Sequence, residues 1–280
     1  MLVYRCGSKI KLNSMLINVY KNISLSCNKD EWGDALVGEY RRVVSDIVLE
    51  YEQLGHNPDD NIPVIILHSP FDYPMCSNVG DHRKIFLATK DNFWCQLAYQ
   101  FAHEYCHHLI NGPMDGEKIS SFWFEESICE MSSIYFMRRI AQKWIANNTP
   151  ILNVYAFSVL NYCEDNWACA PMVNGLSSWI HDNISILSEP NYHRDMYKVI
   201  AKSLYPLFAS CPTIWKLLPY LKRVPLVEYV NFEHWMTNVV SHKVPEELHD
   251  SYYILKGKLI NTWGTGGQGT GEGQVHVPQQ

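Results

Sequence analysis

The segment DNFWCQLAYQFAHEYCHHLI, residues 91–110, constrains this chain more than any other stretch. At about 100° per residue, Trp94, Leu97, Ala98, Phe101, Tyr105 and Leu109 gather into an apolar stripe that must bury against a core. On the other face His103 and His107 stand about 40° apart, one turn above the other, where two imidazoles can meet one metal ion. Glu104 lies about 60° from His107, beside that pair. His108 falls among the apolar residues and reads as a structural histidine. Asp91 offers a cap for the helix, and Asn111-Gly112-Pro113 stops it.

Such a helix needs partners, and the flanking sequence supplies them. Residues 1–30 read as short strands with a turn, and 30–55 as an amphipathic helix carrying Tyr40, Val43, Val44, Ile47 and Val48. IPVIILHS (62–69) and RKIFLAT (83–89) read as strands, the second following the turn-rich SNVGD. SSFWFEESICEMSSIYFMRRIAQKWIAN (120–147) is a second long helix, capped by Ser120 or Ser121. Further helices are expected near 151–162, 172–184, 191–208, 213–222, 226–240 and 245–258. The expected class is α+β: a small N-terminal mixed-sheet lobe, then a mostly helical lobe. The divisions fall at 1–148, 149–262 and a glycine-rich flexible tail at 263–280.

Composition narrows the function classes. The net charge is −6, with both signs interspersed, which excludes a clustered basic surface for nucleic acid or anionic membrane. No apolar run approaches the ~18 residues of a membrane span, and the first residues do not resemble a secretory leader, so a cytoplasmic protein is expected. The nine cysteines form no C-x-x-C pair and read as reduced, mostly buried thiols. A Cys163–Cys169 disulfide is the rival reading.

H-E-x-x-H by itself is a short pattern, and a polar helix face with two unconnected histidines produces it equally well. The second helix decides between them. A catalytic zinc takes three protein ligands and keeps a position for water. Glu126 follows His107 with eighteen residues between, in WFEESICEM. It shares a helix face with Trp123 and Glu130, whereas Glu125 points about 100° away. His103, His107 and Glu126 are therefore expected to hold one zinc ion per chain, with Glu104 as base. Glu130 is expected to accept a hydrogen bond from a ligand histidine. A solvated glutamate face fits poorly with neighbours Trp123, Phe124, Ile128 and Met131.

FAHEYCHHL followed by WFEES resembles the gluzincin metallopeptidases, particularly their aminopeptidase-N-like branch with its H-E-x-x-H…W-x-x-E pattern. The Glu126/Glu130 pair is similar to the E-x-x-x-D arrangement of thermolysin-like enzymes. The resemblance implies a zincin-like fold with the motif helix between the lobes, His103, His107 and Glu126 on zinc, Glu104 as base and Glu130 behind the ligands. It spans about residues 62–210. Ser127 stands where that branch has Gly, and no Gly-x-Met-Glu-Asn segment precedes the motif, so exopeptidase specificity is not implied. NYHRDMYKVIAKSL is similar to that branch's Tyr-x-Lys-Gly-Ala segment and implies Tyr192 as donor to the transition state. Arg194 matches the Lys loosely and Asp195 does not match the Gly; Tyr197 and His193 compete for the role, and a tyrosine that merely packs remains open.

The expected function is zinc-dependent peptide-bond hydrolysis, with a peptide or protein substrate pairing against KIFLAT as an added strand. The alternatives are a catalytically silent zinc-containing binding or regulatory protein, and a zinc hydrolase acting on a non-peptide substrate.

Overall fold

Val64 and Ile66 of VIILH are fully buried, and this β-branched run forms the centre of a five-stranded sheet. The computed structural model describes residues 15–27, 29–34, 37–79, 81–111, 123–147, 150–189, 192–221 and 229–260. The expected Ser120 or Ser121 cap, the Gly112-Pro113 stop and the glycine-rich tail lie outside them. The strands are β1 (Met15–Tyr20), β2 (Ile23–Cys27), β3 (Val64–His68), β4 (Met75–Val79) and β5 (His82–Leu87), in the order β1-β2-β3-β5-β4. β2, β3 and β5 run parallel, while β1 and β4 are antiparallel edges.

β4 corrects the sequence reading. MCSNV pairs with β5 from Met75↔Phe86 to Val79↔His82, so the supposed turn SNVGD is mostly strand. KIFLAT therefore lies inside the sheet, paired on both sides, and cannot receive an added strand. Among the described residues β4 has no strand on its outer side.

The expected helix 30–55 is interrupted. α1 (Lys29–Trp32) and α2 (Val37–Gln53) are separated at Gly33, whose φ is 66°. A Cβ there would fall 2.1 Å from Asp91 Oδ1, so only glycine fits. Asp91 is likewise not a helix cap: its Oδ1 accepts the Asp34 N–H at 2.9 Å. The motif helix α3 (Trp94–Asn111) starts three residues later.

α4 (Trp123–Ala146) is buried along most of its length and apolar on nearly every face, as a helix enclosed on all sides must be. Around it pack α2, α3, α5 (Pro150–Trp167) and α7 (Arg194–Ser210). α6 (Leu176–Leu187) precedes α7, and a 3-10 stretch, Pro212–Tyr220, follows it. The chain then forms α8 (Tyr229–His234), a π-helical turn Trp235–Val240, α9 (Ser241–Lys243) and α10 (His249–Leu259). One continuous cluster of buried side chains runs from Val19 to Ile260.

α3 and α4 are antiparallel, and serines set their register. Ser133 Oγ donates to the Tyr99 carbonyl at 3.0 Å, while Ser132 Oγ shares its proton between the Cys129 carbonyl of its own helix at 2.7 Å and the Ala102 carbonyl at 3.2 Å. Such small side chains let the two backbones approach closely. α2 is tied to the far end of α4 by Trp144 Nε1 donating to Asp46 at 2.7 Å and Arg139 Nε to Glu50 at 2.9 Å. Tyr51 stacks on Phe136 at 3.6 Å and donates to the Ala102 carbonyl at 3.1 Å.

The eight described cysteines, Cys163 and Cys169 included, are free thiols. Burial in α5 pushes Cys163 up to about 12. Among the described residues no helix is long and apolar enough to cross a membrane.

The tight α3–α4 seam yields a stability test. Ser132→Ala loses one hydrogen bond and should cost about 1 kcal/mol. Ser132→Leu must also force the helices apart, an overpacking that costs a further ~1–3 kcal/mol. Urea unfolding of both variants measures the difference; equal midpoints would mean the seam is loose.

Candidate metal centre and its cleft

Because α3 and α4 are antiparallel, each step forward on one helix meets a residue further back on the other. The start of α4 therefore faces the end of α3. His103 Nε2 and His107 Nε2 lie 3.2 Å apart. Glu126 closes the triangle, with Oε2 3.3 Å from His103 Nε2 and Oε1 3.5 Å from His107 Nε2. Nitrogen and oxygen ligands about 2.0–2.1 Å from a tetrahedral zinc are separated by about 3.3–3.4 Å. Each histidine nitrogen thus meets a Glu126 oxygen at close to that spacing, His103 one oxygen and His107 the other. All three histidine and glutamate ligand candidates named from the sequence meet here, with Glu104 on the same wall.

The carboxylates behind them are arranged differently from the sequence expectation. Glu125 hydrogen-bonds His107 Nδ1. A helical wheel puts Glu125 and Glu126 about 100° apart, yet an imidazole has nitrogens on opposite sides, so two adjacent residues of a facing helix each reach one. Glu130 does not meet a ligand histidine. The antiparallel register carries it one turn back along α3 to Tyr99, whose hydroxyl donates to it. Its other oxygen accepts from Arg194 Nε at 2.7 Å, and the Arg194 guanidinium lies 5.4 Å over the Tyr99 ring. Tyr99 precedes His103 by one helical turn on the same face, and that spacing was the available sequence signal for it.

Cys129 is a further donor close by: ligand atoms of His103, His107 and Cys129 lie within 4.8 Å of one another. Glu126 is the better third ligand. It approaches both histidines more closely and lines the open cleft, whereas Cys129 is fully buried outside the cleft lining. Burial and the neighbouring Cys106 hold the Cys129 thiol well above its ordinary value.

The local charges reinforce one another. Burial pulls His103 and His107 down, but the nearby carboxylates outweigh it and hold both rings above the ordinary imidazole value. Glu126, which burial alone would raise, is held far below the usual carboxylate range by the two histidines. Burial raises Glu104. His108 is buried on the apolar side, where desolvation and then Arg83 bring it down to about 3, as suits a structural histidine.

The centre opens into a cleft of roughly 600 Å³. Tyr73 and Met75, at the start of the edge strand β4, line one side; Tyr192 and Arg194, at the start of α7, line the other. The Tyr192 hydroxyl lies 3.4 Å from Glu126 Oε2. Tyr197 instead packs edge-on against the Tyr192 ring at 5.2 Å, and His193 Nε2 lies 3.3 Å from Glu189. Neither lines the cleft. Tyr192 is 57% exposed; local desolvation on its cleft side and the carboxylates of Glu126 and Glu130 raise its phenol above its ordinary value.

The chain matches no protein-family profile, no curated protein and no solved structure.

The geometry separates two adjacent glutamates. Glu126→Ala should abolish stoichiometric zinc uptake. Glu125→Ala, which frees His107 Nδ1 but leaves the donors, should weaken it about 10–100-fold. Competition titration with a chromophoric chelator measures both; unchanged affinity in Glu125→Ala would remove it from the centre.

Proposed function

We propose that this chain is a zinc-dependent peptide hydrolase of zincin-like design. The observation that carries the reading is the meeting of His103, His107 and Glu126, whose two Nε2 atoms lie 3.2 Å apart and each within 3.3–3.5 Å of one carboxylate oxygen. Two imidazoles and one carboxylate also suit zinc chemically, and the resemblance of FAHEYCHHL and WFEES to gluzincins points the same way. A bound zinc ion would supply Lewis acidity and make a coordinated water easier to deprotonate.

The chain's own residues account for the remaining requirements. Glu104 is buried beside the ligands with a raised pKa, which suits a group that takes a proton from an attacking water and returns it to the leaving amine. Tyr192 can donate to the oxygen that gains negative charge as the carbonyl becomes tetrahedral. Glu125 fixes the tautomer and orientation of His107. Glu130 fastens Arg194, and with it the start of α7, two residues from Tyr192. β4, which has no described strand on its outer side, starts beside the cleft, where an extended peptide could run along it.

Glu104→Gln should keep zinc and lose nearly all hydrolysis of a mixed peptide library followed by mass spectrometry. Wild-type turnover in that variant would rule out the mechanism, and no turnover in the zinc-loaded wild type would favour a binding protein.

Tyr192→Phe preserves the ring and removes only the hydroxyl. It should lower kcat by about 10²–10³ with little change in KM, the pattern for a donor used as charge develops. If His193→Ala is the crippling variant at equal zinc content, the donor assignment falls.

A further inference from the structure

A second cavity, of about 500 Å³, lies against the first. Gln96 and Tyr162 line both, so the cleft and this groove adjoin across these two side chains. Four helices meet in its walls: Val43 from α2, Trp94 from the start of α3, Trp144 from the end of α4 and Val159 from α5. These four are buried, yet the groove they form is open to solvent. Phe93, 61% exposed, and Tyr155, 36% exposed, add two aromatic side chains to its lining. Glu39 and Arg42 contribute one charge of each sign, so the groove has no preference for an ionic ligand. Its volume falls within the ordinary range of ligand pockets.

We infer that this groove binds a large apolar side chain of the same polypeptide that lies across the metal centre, several residues from the bond to be cut. The inference rests on the hydrolase reading and narrows it to extended polypeptides with an aromatic or aliphatic residue remote from the cleavage point. The occupant follows from adjacency: a chain leaving the cleft over Gln96 and Tyr162 reaches the groove next. An apolar anchor there adds affinity without adding contacts at the reacting carbonyl.

Two exposed positions allow the groove to be filled without disturbing the core. Ser158 lines it from α5, and Gly38 lines it from α2, where a Cβ would meet nothing within 4 Å. The probes are fluorescein-labelled alanine–serine peptides with one phenylalanine moved a position at a time. Binding to the zinc-loaded Glu104→Gln chain is followed by anisotropy, with and without Ser158→Trp or Gly38→Trp. We expect affinity to peak at one phenylalanine position by at least about tenfold, as burial of such a side chain allows, and both filling variants to erase the peak. Affinity that is flat along the series, or a peak that survives both variants, would overturn the inference. So would a filling variant that changes only self-association in sedimentation, which would make the groove a contact between copies. Cleavage of the same peptides by the wild-type chain tests the hydrolase reading separately: a peak without cleavage sinks that reading and leaves the groove as a peptide anchor.

Discussion

The close antiparallel contact of α3 with α4 is the constraint on which the site depends. Hydroxyls of Ser132 and Ser133 reach carbonyls of α3, and this fixes how far one helix is slid along the other. The slide sets which side chains meet: His107 with Glu125 and Glu126, His103 with Glu126, Tyr99 with Glu130. A displacement of one turn, about 5.4 Å, would exchange all of these partners at once. The chemistry at the cleft is therefore specified by residues that never touch it.

Much of this was legible in the chain itself. The period of apolar residues gave the two long helices, and H-E-x-x-H with the later Glu126 gave the three donor atoms that come together. The wheel could not give the relation between two helices. It describes a face, while Glu125 and Glu130 were sorted by where the facing helix puts its turns. β4 was missed because MCSNV lacks the β-branched, alternating character of an ordinary strand; it is held by backbone pairing to β5. The break at Gly33 was hidden for a related reason, since its cause is the distant Asp91 carboxylate.

Glu130 shows how a buried charge can serve architecture near a reactive centre. It is completely enclosed, and its two oxygens are taken by Tyr99 and Arg194 from two different helices. Removing Arg194 or the Tyr99 hydroxyl would leave an enclosed carboxylate oxygen without its partner, which is destabilising. The start of α7, with Tyr192 and Arg194, is thereby fastened to the α3–α4 seam, far from α3 along the chain.

The edge strand gives the cleft a sense of direction. β4 runs antiparallel to β5, so a chain that added to its outer side in the antiparallel sense would travel the same way as β3 and β5. Its amides and carbonyls then meet β4 in one order only, and its side chains alternate between the two faces of the sheet in one phase. A peptide of the same composition written backwards presents those groups in the wrong order. On the proposed peptide reading, addition in that one sense would set which end of a substrate, amino-terminal or carboxy-terminal, lies to either side of the metal centre.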